Sequence, residues 1–151
     1  MYALYEHITN NKDNAAIDYN YNLTTSINKC LNAEEDNIGA FESGTEEDMY
    51  DAINKILDAC KESAKEIYNI GIIEENDSLE NAMLTVIYYN VLFFNKAKEI
   101  VPYKRIENLT EEQEIEGNKI SEVLEDLIDK FDKSFENLKD VQKEFAKDYG
   151  F

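Results

Sequence analysis

The chain has 151 residues and a mass of 17.5 kDa, with 43% hydrophobic residues, enough for one domain with an ordinary core and no need of metals or a disulfide framework. Against 15 Lys and Arg stand 33 Asp and Glu, a formal net charge of -18. That field repels free DNA, RNA and anionic membranes and favours a basic partner.

Met1 to Asn14 contains no basic cluster followed by an apolar run, so no secretory leader is expected. Tyr2, Leu4, Tyr5 and Ile8 admit a helix or a short strand, and Asn10-Asn11-Lys12-Asp13-Asn14 reads as a turn. Tyr19, Leu23, Ile27, Cys30 and Leu31 then fall on steps of three and four and predict a helix over 15–33. Glu34 to Gly44, with two glycines, reads as a loop.

A clear helix is predicted over 45–70. Thr45 and Asp48 have capping-box spacing, Met49, Ile53, Ile56, Leu57, Cys60, Ala64 and Ile67 draw one apolar face, and Gly71 is a natural stop. Over 78–101 the residues Leu79, Ala82, Met83, Val86, Ile87, Leu92, Phe93 and Phe94 give nearly all-round apolarity, as in a central helix. Thr85 to Phe94 is rich in strand-forming residues, but the uninterrupted length favours a helix, capped by Asp77 or Ser78 and ended by Pro102.

The last helix is predicted over 110–149. Thr110-Glu111-Glu112-Gln113 is a full capping box, and Ile120, Leu124, Leu127, Phe131, Leu138, Val141 and Phe145 form its seam. Gly117 is a candidate kink or break. The fold expected is therefore all-α: one domain over 1–151, a helical bundle of about four main helices with a long C-terminal helix. That helix is expected to overhang its neighbours, which makes a homodimer the expected means of covering it.

The longest stretch free of charge, Asn81 to Asn95, is too short and too rich in Asn for a membrane span, which needs about 20 apolar residues. Cys30 and Cys60 form no CxxC motif; a single structural disulfide is the open alternative, but nothing in their spacing asks for it, so they read as reduced cysteines of a cytoplasmic protein. The three triplets beginning at Asn22, Asn76 and Asn108 match a glycosylation pattern, but in a chain this rich in Asn they are expected by chance.

No catalytic, cofactor or metal site is expected. His7 is the only histidine and has no zinc-ligand pattern around it; Gly39 and Gly44 are followed by Thr45-Glu46, without a phosphate-binding lysine. Glu111 and Glu114, Glu122 and Glu125, and Asp126 and Asp129 each share a helix face, the weak signature of a magnesium-dependent helical hydrolase. The pattern EExxE fails at Ile115, and di-iron bundles would need Glu-x-x-His pairs that do not occur. Tyr88, Tyr89, Phe93 and Phe94 lack the basic neighbours of a nucleic-acid stacking platform and read as core, with the hydroxyl of Tyr88 or Tyr89 expected at the bundle edge.

Acidity is concentrated. Glu34 to Asp58 holds nine acids and one base, Glu107 to Asp129 again nine and one, whereas Lys130 to Asp148 is balanced at five and five. Helix-dipole compensation accounts for the acids beside Thr45 and Thr110 but not for their continuation along the following turns. The expected function is thus a small acidic module that occupies a basic surface of a target protein. It would inhibit a nucleic-acid-handling or defence enzyme by mimicking phosphates, or serve as an immunity or antitoxin partner. Expected contact residues are Glu46, Glu47, Asp48, Asp51, Glu111, Glu112, Glu114 and Glu116, with Phe41 and Tyr50 as anchors. A structural or adaptor protein of a phage or mobile element is the alternative, alongside the hydrolase.

Overall fold

The computed structural model describes the backbone from Tyr2 to Phe151 and the side chains from Asn14 onward. Four long helices and two short helical segments follow one another: α1 (Tyr2–Asn37), α2 (Gly39–Ser43), α3 (Glu46–Ile70), α4 (Ser78–Ile100), the 3₁₀ turn η1 (Val101–Tyr103) and α5 (Glu111–Asp148). The all-α bundle with a long last helix is what the periodicity predicts. Among the described residues the only extended pairing is the isolated bridge between Ile73 and Asn76.

Both predicted capping boxes are present. The Thr45 hydroxyl accepts from the Asp48 amide while the Asp48 carboxylate accepts from the Thr45 amide, and Thr110 and Gln113 repeat the exchange. Gly71 closes α3 at φ 77°, a conformation costly for residues with a Cβ. The strand alternative for Thr85 to Phe94 is removed, since these residues lie inside α4. Its cap comes from neither Asp77 nor Ser78 as expected; the Asn76 side chain accepts from both the amide and the hydroxyl of Ser78.

Four further expectations are corrected. No turn interrupts Asn10 to Asn14: α1 runs through them, because Asn costs a helix less than about 1 kcal/mol per residue and neither Gly nor Pro stands there to break it. The expected loop from Glu34 is also mostly helical: α1 runs on to Asn37, whose side-chain amide donates to the Ala33 carbonyl, and α2 follows almost at once. Gly117 does not split α5, which is continuous from Glu111 to Asp148. Finally, α5 is not a lone overhanging helix, since α1 is nearly as long, and Phe145 near its end packs against Tyr19 of α1 with ring centroids 5.8 Å apart.

The helices alternate in direction. Tyr19 of α1 meets Gly71 at the end of α3, while Cys30 further along α1 meets Cys60 earlier in α3. On α4, Asn90 reaches the same two sulfurs, and the Phe93 and Ile100 region faces the first turns of α5. α4 is therefore central, with α3 on one side and α5 on the other, as its all-round apolarity requires. Its fully buried Leu79, Met83 and Val86 join Leu23, Ile53, Ile56 and Ile67 in one core.

The expectation of two reduced cysteines is also corrected. Cys30 and Cys60 are joined in a disulfide, with an S–S distance of 2.05 Å and Cα atoms 4.2 Å apart. Each lies on the apolar seam of its helix, and antiparallel packing of the two seams brings the sulfurs together in the core, where neither residue is exposed. The buried Asn90 amide donates to both sulfurs, at 3.3 and 3.4 Å.

Candidate functional site

Alternating directions put the starts of α3 and α5 at the same end of the bundle as the end of α4. The two acidic segments therefore share that end, separated by η1 and the loop that follows it. Glu46, Glu47, Asp48, Asp51, Glu111, Glu112, Glu114 and Glu116 are all exposed there. Asp48 is already engaged: the Thr45 amide and hydroxyl hold its carboxyl below the ordinary carboxylate range, and Arg105 in the intervening loop adds a smaller attraction. Asp48 and Asp51 border a shallow cleft floored by Gly39, Ala40 and Gly44, with Lys55 at its edge.

The acids of α5 divide. Glu112 and Glu116 border a cleft with Tyr103 and Lys119; Glu114 borders another with Lys104 and Leu109. Glu111 borders neither. No described cleft contains acids of both segments, so the structure brings the two groups to one end without merging them. Among the described residues no group of three or more Asp, Glu, Cys or His stands close enough to hold a metal ion. His7 lies outside the residues whose side chains are described.

At the same end of the bundle, an apolar groove of about 260 Å³ lies between the α1–α2 corner, the end of α4 and Leu124 of α5. Ile38 and Phe41 come from the α1–α2 corner, Phe93, Phe94, Ala97 and Ile100 from α4, Val101 and Lys104 from η1 and its continuation, and Leu124 from α5. Phe41, expected as an anchor, is half-buried and forms a groove wall; the Lys104 ammonium sits 5.4 Å from its ring centroid, a cation–π arrangement. Tyr50, the other expected anchor, is half-buried against the core and does not line this groove.

Glu34 completes the lining. Burial pushes its carboxyl above the ordinary range, and no described residue pairs with it. Sequence reasoning missed both Glu34 and Lys104. Glu34 stood in what read as a loop, and only the continuation of α1 through it aims the carboxylate at the groove. A signal existed in the adjacent Phe93 and Phe94, since neighbouring helix positions cannot both face one core direction. Phe94 is buried, whereas half-buried Phe93 packs edge-on against it at 5.0 Å. Tyr88, also read as core, is exposed.

The chain matches no family model, no curated protein and no solved structure. No helix among the described residues is long and apolar enough to cross a membrane.

Proposed function

We propose that the protein is a non-catalytic binding module whose acidic end occupies a basic surface of a target protein. The observation that carries the reading is the convergence of two segments, each with nine acids and one base, on one end of a bundle whose last helical turns are charge-balanced. Carboxylates displayed along two helix starts mimic the phosphates that a nucleic-acid-handling or defence enzyme binds, and the same display suits an immunity or antitoxin partner. Long-range attraction speeds encounter, and apolar residues between the acids supply specificity.

The adaptor reading has the same fold but no use for localised charge. The helical hydrolase needs carboxylates converging on a metal, and the exposed acids of α5 give it no such arrangement. A homodimer belongs to the proposal through exposed Tyr88, Val123 and Ile128, side chains that a second copy would cover. The cytoplasmic location is proposed from the sequence alone and has the Cys30–Cys60 bond against it, because reducing compartments keep such pairs open.

Capture from a lysate of the protein's own host tests the reading. The expected result is retention of a protein with a basic surface, released as salt rises because screening removes the attraction. Retention of partners insensitive to salt, or of none, contradicts it.

A further inference from the structure

The groove between the α1–α2 corner, the end of α4 and Leu124 has more definition than a charged surface needs. Its wall is apolar, built from Phe41, Phe93, Ala97, Ile100 and Leu124, and its polar exceptions are one carboxylate and one ammonium. At about 260 Å³ it falls below the range of roughly 300 to 1,000 Å³ typical of small-molecule and cofactor pockets. That volume suits one or two side chains better than a free cofactor. Glu34 is partly withdrawn from water and forms no ion pair with a described residue, a cost that an incoming positive charge offsets. Lys104 lies over the Phe41 ring and is not ion-paired with Glu34. It repels a second cation, so one orientation of a charged guest is favoured.

We propose that this groove is the specificity pocket of the acidic end. It receives one large apolar side chain of the basic target, and a Lys or Arg adjacent to that residue in the target pairs with Glu34. The inference rests on the binding-module reading and names the chemistry of the partner segment: an apolar anchor flanked by a cation. Aromatic anchors with Arg are the residues that dominate protein interfaces, and a preformed apolar slot beside a carboxylate is the complement of that pair. The surrounding acids attract many basic surfaces, and the slot selects among them.

A peptide titration followed by amide chemical shifts tests this, with N-acetyl-Lys-Trp-Lys-amide as the probe. The expected result is a set of shifts centred on Phe41, Phe93, Ala97, Ile100 and Leu124. Replacing Trp by Ala in the peptide should abolish them. Glu34→Gln, which keeps shape and removes charge, should weaken the lysine peptide by about threefold or more while leaving N-acetyl-Gln-Trp-Gln-amide unchanged. Shifts confined to 46–51 and 111–116 would overturn the pocket and leave the charge-based reading standing. Equal binding of the Lys and Gln peptides would overturn the role of Glu34. Absence of any shift at millimolar peptide would overturn the whole inference, whereas failure of the broader reading appears separately, as loss of salt-sensitive capture.

Discussion

The Tyr19 hydroxyl donates to the Gly71 carbonyl across 52 residues of sequence, at 2.8 Å. This bond ties the middle of α1 to the glycine that ends α3, and it holds the phenol where its ring also meets Phe145 of α5. Burial, with smaller repulsions from Glu80, Tyr149 and Asp77, pushes the Tyr19 pKa from 10.0 up to about 12.

A phenol that keeps its proton longer when folded stabilises the protein fully below the unfolded pKa of 10.0 and loses that contribution as pH rises toward about 12. Stability measured by urea unfolding should therefore fall between these values. Tyr19→Phe should be less stable at neutral pH, by about 0.5 to 1.5 kcal/mol for the lost hydrogen bond, with a shallower decline in alkali. An identical alkaline decline in both proteins would remove Tyr19 from the explanation.

Cys30 and Cys60 close a loop of about 30 residues, and a cross-link of that size is worth about 3 to 4 kcal/mol in the chain-entropy account. Cys30→Ser with Cys60→Ser should lower stability by that order while retaining helical structure. Because neither cysteine is exposed, the intact protein should resist thiol labelling after mild reductant and become labelled only on unfolding. Two free thiols in the untreated, denatured protein would show that the pair is open.

Two glycines should respond in opposite directions. A Cβ at Gly117 would meet nothing within 4 Å, so Gly117→Ala should stabilise α5 by about 0.5 to 1 kcal/mol through helix propensity. A Cβ at Gly44 would lie 2.5 Å from the Ala40 carbonyl oxygen and 2.8 Å from the Asp48 Cβ. Gly44→Ala should therefore cost about 1 to 3 kcal/mol, since backbone or the capping turn must shift. Thermal melts of the two variants check the signs; stabilisation by both would mean that the close approach at Gly44 is readily relieved.

Capping and periodicity made the helices legible. Thr45 with Asp48 and Thr110 with Gln113 are local chemistry, and the seams of α3 and α5 follow from spacing alone. Sequence spacing carries no information about which seam faces which, so the meeting of Cys30 with Cys60 and the joining of Phe41, Phe93 and Leu124 around one groove were not readable. That the acids of the two rich segments would be exposed was legible from charge counts, because exposure of carboxylates is the default. Glu34 was not distinguishable from its neighbours Glu35 and Asp36, because only its partial burial on the continued helix sets it apart.

The most direct test of the acidic end as a binding surface compares two quadruple charge reversals for affinity toward the captured basic protein, at low and high salt. Glu46, Glu47, Glu111 and Glu112 changed to Lys should weaken binding strongly at low salt, with a penalty that shrinks as salt rises. Asp132, Glu136, Asp140 and Glu144 changed to Lys alter total charge equally on the balanced part of α5 and should matter much less. A circular dichroism spectrum matching that of the parent protein confirms that each variant is folded before affinities are compared. Equal weakening by both sets would reduce the effect to net charge, and no weakening by either would contradict the account.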